Sequence, residues 1–256
     1  MNFQLDVFNR ATIYRTLFFN IKTVLEYPNL TELELHKPEL YAGFKELMNS
    51  DDYYGQDDSI EGLYQRFGIK YPEFIKIVTI SYCIVTMNDE GKMVRDMRKH
   101  TGYNEAIVLE SFFDYLQQYD SDEFKGLMLC GFNLAADIQT IIKRFFVNKK
   151  EFVTINTLPN LFKHTLGTKP WDSNIIDINQ IWKFSAYTTS DLPSFSLISD
   201  FCELRKNTSL MSNYDLSKYY WKNIDESPDK VFKDIELQSI NQTNMYIQLM
   251  NELRTF

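Results

Sequence analysis

The chain reads as an α/β protein built on a mixed sheet. Two long runs, residues 16–24 and 75–86, are dense in β-branched and aromatic residues, the composition of buried strands. After them, apolar residues recur at helical spacing and alternate with short apolar runs. Antiparallel strands followed by a helix, strand, helix, strand and more helices require crossovers, and crossovers between strands make part of a sheet parallel.

In chain order, residues 16–24 form the first strand. Residues 26–66 are acidic and aromatic and read as a helical and loop excursion, with a loop at Asp51-Asp52-Tyr53-Tyr54-Gly55. Residues 75–86 are a long buried strand. Asn88-Asp89-Glu90-Gly91 then turns into a shorter strand over residues 93–97. Residues 104–119 place Ile107, Val108, Phe112, Tyr115 and Leu116 at helical spacing. Residues 126–130 are a short strand entering a turn at Gly131, and a helix over residues 137–146 follows. Ile175 to Ile178 is a further short strand, and a long helix covers residues 231–253.

The 256 residues are 44% hydrophobic and 15% aromatic, enough to build a sizeable core in a single domain spanning 1–256. The net charge of −8 argues against a protein that grips nucleic acid through bulk electrostatics, because phosphate binding draws mainly on Lys and Arg. Cys83, Cys130 and Cys202 lack metal-ligand spacing and sit in apolar contexts, so they read as free thiols. Residues 1–10 hold no apolar core of a secretory leader, and no run is apolar enough to span a membrane. His36, His100 and His164 stand singly and read as structural.

Several segments, taken together, carry a resemblance. Phe19-Asn20-Ile21-Lys22-Thr23-Val24 sits on the first strand, and Gly131-Phe132-Asn133 precedes Asp137. Lys169-Pro170-Trp171, Ile176-Asp177 and Ile181-Trp182-Lys183-Phe184 follow in order. In this the chain resembles the 3'–5' exonucleases related to the proofreading domain of B-family DNA polymerases. That group is DnaQ-like, with a ribonuclease H-like fold and four catalytic carboxylates. The corresponding family elements read F-D-I-E-T-V, G-H-N before an Asp, K-P-W, D-T and L-W-K-F. The resemblance implies a five-stranded mixed sheet flanked by helices, and a groove lined by Phe132, Asn133 and Trp171.

The same resemblance exposes what is missing. Such nucleases hold two divalent metals about 4 Å apart, which stabilise the attacking and leaving oxygens. Magnesium and manganese need oxygen ligands, preferably anionic ones. The first-strand Asp and Glu positions are here Asn20 and Lys22, two residues apart and so on one face of the strand. An ammonium about 4 Å from a dication, at an effective dielectric near 20, costs about 8 kcal/mol. Asp137 is the one retained carboxylate. The last-helix Tyr and Asp positions fall on Leu237 and Asn241, or on Asn244 in a shifted register.

The expectation is therefore a degenerate exonuclease-like protein that needs no cofactor and serves as a binding or structural component. Its partner would be another protein or a second copy, with weak nucleic-acid binding as an alternative and no membrane. By resemblance it would work in the cytoplasm of a bacterium or phage-infected host, or in a virion. The rival is an active nuclease, using Mg or Mn, that recruits Asp177, Glu26 or Glu236 as substitute ligands.

Overall fold

The computed structural model describes residues 16–50, 59–88, 90, 92–117, 127–162, 174–182, 194–205 and 209–253. Its centre is a five-stranded mixed sheet in the order β3-β2-β1-β4-β5. The strands are β1 (Thr16–Leu25), β2 (Ile75–Met87), β3 (Met93–Thr101), β4 (Met128–Gly131) and β5 (Ile175–Asp177). The β1–β2 and β2–β3 pairs are antiparallel, whereas β1–β4 and β4–β5 are parallel. The first strand is central.

All ten residues of β1 are buried, so helices cover both faces of the sheet at its middle. Leu17, Phe19 and Ile21 pack with α4 (Glu105–Gln117) and α5 (Leu134–Asn148), through Phe112, Phe113, Ile138, Ile141 and Phe145. Phe18 points to the other face, against Met245, Tyr246 and Leu249 of the C-terminal helix. Period-two alternation sends Asn20 and Lys22 to that second face with Phe18. A register shift between Lys22 and Thr23 ends the regular ladder just beyond them.

The excursion contains α1 (Leu30–His36), α2 (Pro38–Ser50) and α3 (Ile60–Phe67), which bury Leu33, Phe44, Met48 and Leu63 with Leu25 and Ile75. The loop expected at 51–55 lies outside the described residues. After β5 come α6 (Ile178–Trp182), α7 (Phe195–Phe201), α8 (Asn213–Asn223) and α9 (Pro228–Leu253). Among the described residues, no helix is long and apolar enough to cross a membrane. The three cysteines are free thiols, two of them buried.

Among the boundaries that differ from the sequence reading, two have a clear physical reason. The third strand runs to Thr101, not to residue 97, because it is an edge strand paired along its length to β2 while charged residues mask its pattern. Helix α5 starts at Leu134, three residues before Asp137. Asn133 adopts the left-handed conformation (φ 57°) and offers no side-chain cap. The cap comes from a distant residue: the Asp177 carboxylate accepts the Asn133 backbone N–H at 2.9 Å and the Asn179 N–H at 3.0 Å. Gly131 lets β1 and the start of α5 approach closely, since a Cβ there would stand 2.9 Å from the Phe19 carbonyl oxygen.

Candidate functional site

Asn20 lies at the centre of the sheet, opposite Ser81 of β2. Its amide nitrogen is 3.0 Å from Ser81 Oγ, 2.9 Å from the Ser239 carbonyl oxygen and 2.6 Å from Thr243 Oγ1. Its carbonyl oxygen accepts from Ser239 Oγ at 2.9 Å. Ser81 Oγ and Thr243 Oγ1 close the ring at 2.7 Å. All four residues are essentially inaccessible to solvent. A buried polar group is tolerated when its hydrogen bonds are made, and here each partner supplies one to another.

Lys22 sits one pleat further along, also buried. Its Nζ donates to Gln242 Oε1 at 2.5 Å, and Gln242 Nε2 donates to Tyr246 Oη at 2.5 Å. Burial pushes the Lys22 ammonium down to about 8, against the upward pull of Asp137. Asp137, half-buried in the first turn of α5, is pushed up to about 8 by burial. Lys22 and a backbone hydrogen bond from Ile21 pull it down, while Asp177 pushes it further up. For this coupled pair the directions follow from burial of both charges, each offset by the other.

The four relict positions divide three to one. Asn20, Lys22 and Asp137 come together where β1, α5 and α9 meet. Asn241 does not join them, because α9 turns Ser239, Gln242 and Thr243 toward β1. Asn241 instead lines a cleft with Arg95 and Arg205. Asn133 and Phe132 lie at the start of α5, where the Phe132 ring packs 5.3 Å from Phe195. Trp171 and His164 lie outside the described residues.

The substitute carboxylates are otherwise engaged. Glu26 receives Arg144 Nη1 at 3.0 Å, and Glu236 pairs with Lys99. Asp177 is close enough to Asp137 to push up its pKa, but its oxygen caps α5. His36 pairs with Glu32, and His100 hydrogen-bonds Tyr82 Oη at 2.8 Å.

Ser81, Ser239, Gln242, Thr243 and Tyr246 escaped the sequence reading. Their signal was present but weak: Ser81 is one of three small hydroxyl residues, with Thr79 and Thr86, in an apolar strand run. Ser239, Gln242, Thr243 and Tyr246 form one helical stripe.

Two divalent metals do not fit these residues. The Asn20 oxygen is spent on Ser239, and the buried Lys22 ammonium is bonded to Gln242 within electrostatic reach of Asp137. Among the described residues, no three His, Cys, Asp or Glu side chains gather where they could hold a metal ion.

Fold and site together define an α/β protein with a five-stranded mixed sheet, whose central strand presents a sealed polar network to the C-terminal helix. No family model, no curated protein and no solved structure matches the chain.

Proposed function

We propose that this chain is a ribonuclease H-like, 3'–5' exonuclease-like protein without metal-dependent hydrolysis, kept as a binding or structural component. One observation carries the reading. At the position where the resemblance places two metal-binding carboxylates, Asn20 is tied into a closed hydrogen-bond ring and Lys22 supplies a built-in cation beside Asp137. A lysine beside a carboxyl that burial keeps largely protonated leaves a hard cation without anionic ligands.

A protein partner or a second copy suits the exposed aromatic and aliphatic side chains of α7. Leu197 is 59% and Phe201 77% exposed. The cytoplasm of a bacterium or infected host, or a virion, belongs to the same proposal.

The test is digestion of end-labelled single-stranded DNA and RNA with magnesium or manganese, next to an Asp137→Ala variant. The reading expects no product from either protein above a buffer control. Processive 3'–5' shortening that disappears in the variant establishes the active-nuclease rival.

A further inference from the structure

On the far side of α9 from Asn20, a cleft of about 490 Å³ opens between α9, the edge strand β3 and the turn after α7. That volume falls within the range of small-molecule sites, about 300–1,000 Å³. It presents Arg95 and Arg205 opposite Asn241, Asn244, Gln248 and Asn251. Gln248 is spent on the Arg205 backbone and Asn241 is buried, which leaves Asn244 and Asn251, seven residues apart on one stripe of the helix, to face the cleft. Asn is a poor helix former, and a merely solvated stripe is better served by Lys or Glu. Neutral amides that both donate and accept suit a ligand bearing hydroxyls or amide-like edges.

The arginines are exposed, and neither forms an ion pair with a carboxylate among the described residues, in a chain of net charge −8. Arg205 is held in place by its backbone: its N–H donates to Gln248 Oε1 at 3.0 Å. The turn leading to it holds Glu203 in the left-handed region at φ 51°, normally a glycine conformation. The chain accepts this strain, and the result is a second guanidinium delivered to the same cleft as Arg95.

We infer that this cleft binds a phosphate monoester of a polyhydroxylated small molecule, a sugar phosphate or a nucleotide. The guanidiniums take the phosphate through charge-assisted, forked hydrogen bonds. Asn244 and Asn251 take the hydroxyls. This inference is independent of the state of the site around Lys22, which lies on a different face of α9.

Calorimetric titration of the full chain with inorganic phosphate, ribose 5-phosphate and adenosine 5'-monophosphate tests it. One-to-one binding of at least one ester, about tenfold or more tighter than inorganic phosphate, is expected. Preference for the nucleotide over ribose 5-phosphate identifies the base as part of the ligand; equal affinity identifies the sugar phosphate. Arg95→Gln and Arg205→Gln should each weaken ester binding about tenfold or more, as loss of a charged hydrogen bond does. Both residues are exposed, so unchanged circular dichroism accompanies the loss. Three results overturn the inference: no saturable binding of any probe, ester binding unaffected by both substitutions, or inorganic phosphate binding as tightly as the esters.

Discussion

Two polar clusters are buried against the central strand, and they handle charge in opposite ways. Beside the end of β1, Glu105 takes Arg144 in a two-pronged contact, Nε at 2.8 Å and Nη2 at 2.5 Å from Oε2. It also accepts the Ile77 N–H at 2.6 Å and Asn148 Nδ2 at 2.8 Å, and Arg144 reaches on to Glu26. Each charge there meets an opposite charge directly, and the carboxylates drive Arg144 above its ordinary value despite burial. Around Lys22 the ammonium meets a neutral amide, and burial wins over the attraction of Asp137. The first cluster ties β2, α4 and α5 together as a structural joint. The second holds charge in the position of a metal site, stabilised less completely, and its protonation is correspondingly movable.

The largest break of this comparison is at the joint. Glu105→Ala leaves the buried Arg144 with Glu26 alone, deprives the Ile77 N–H of its side-chain acceptor, and leaves Asn148 only the Arg144 carbonyl. Removing one partner of a buried pair costs about 3–5 kcal/mol. Denaturant unfolding should show a lower midpoint of that size; a loss under about 1 kcal/mol contradicts the joint.

Next in size is Asn20→Asp, which restores the carboxylate that the resemblance expects. Here it points an anionic oxygen at the Ser239 carbonyl, where the amide now donates, and costs about 1–3 kcal/mol at neutral pH. Burial raises such a carboxyl in the folded state, so its proton is bound more tightly folded than unfolded. The loss should therefore shrink as pH falls and the protonated acid donates to Ser239. A neutral or stabilising Asn20→Asp at pH 7 means that the ring tolerates negative charge.

A smaller effect sharpens the comparison through pH. Asp137 is raised to about 8, so between pH 4 and 8 the folded state holds a proton that the unfolded state releases. Its contribution is present below pH 4 and fades as pH rises through 8. Lys22, lowered to about 8, contributes in the other direction. Its share is present above its ordinary value of 10.5 and fades as pH falls through 8. The pair thus gives its least stability near pH 8. Unfolding curves at several pH values, with Asp137→Asn as reference, should differ in slope between pH 5 and 8. Parallel curves show that Asp137 ionises in the fold as it does in the unfolded chain.

The sheet was legible because β1 and the middle of β2 are buried, and burial writes itself as long β-branched and aromatic runs. The edge strand β3 was legible only in part: Arg95, Asp96, Arg98 and Lys99 face solvent or partners and leave no apolar rhythm. The start of α5 was hidden because its cap, Asp177, is supplied from 44 residues away. Asn20, Lys22 and Asp137 could be picked out as departures from a motif. Their true partners on α9 could not, because Ser239 and Thr243 differ from Asn241 only in which side of the helix meets β1. That is set by the packing of Met245, Tyr246 and Leu249 with Phe18 and no local pattern shows it.

The central claim is that hydrogen bonds and a lysine have replaced divalent metal at the β1–α9 junction. Manganese titration followed by electron paramagnetic resonance tests it most directly, because bound ion leaves the free-ion signal. The account predicts no saturable loss of free-ion signal at millimolar manganese, for the natural chain and for Asp137→Ala alike. Stoichiometric binding that Asp137→Ala abolishes would contradict it.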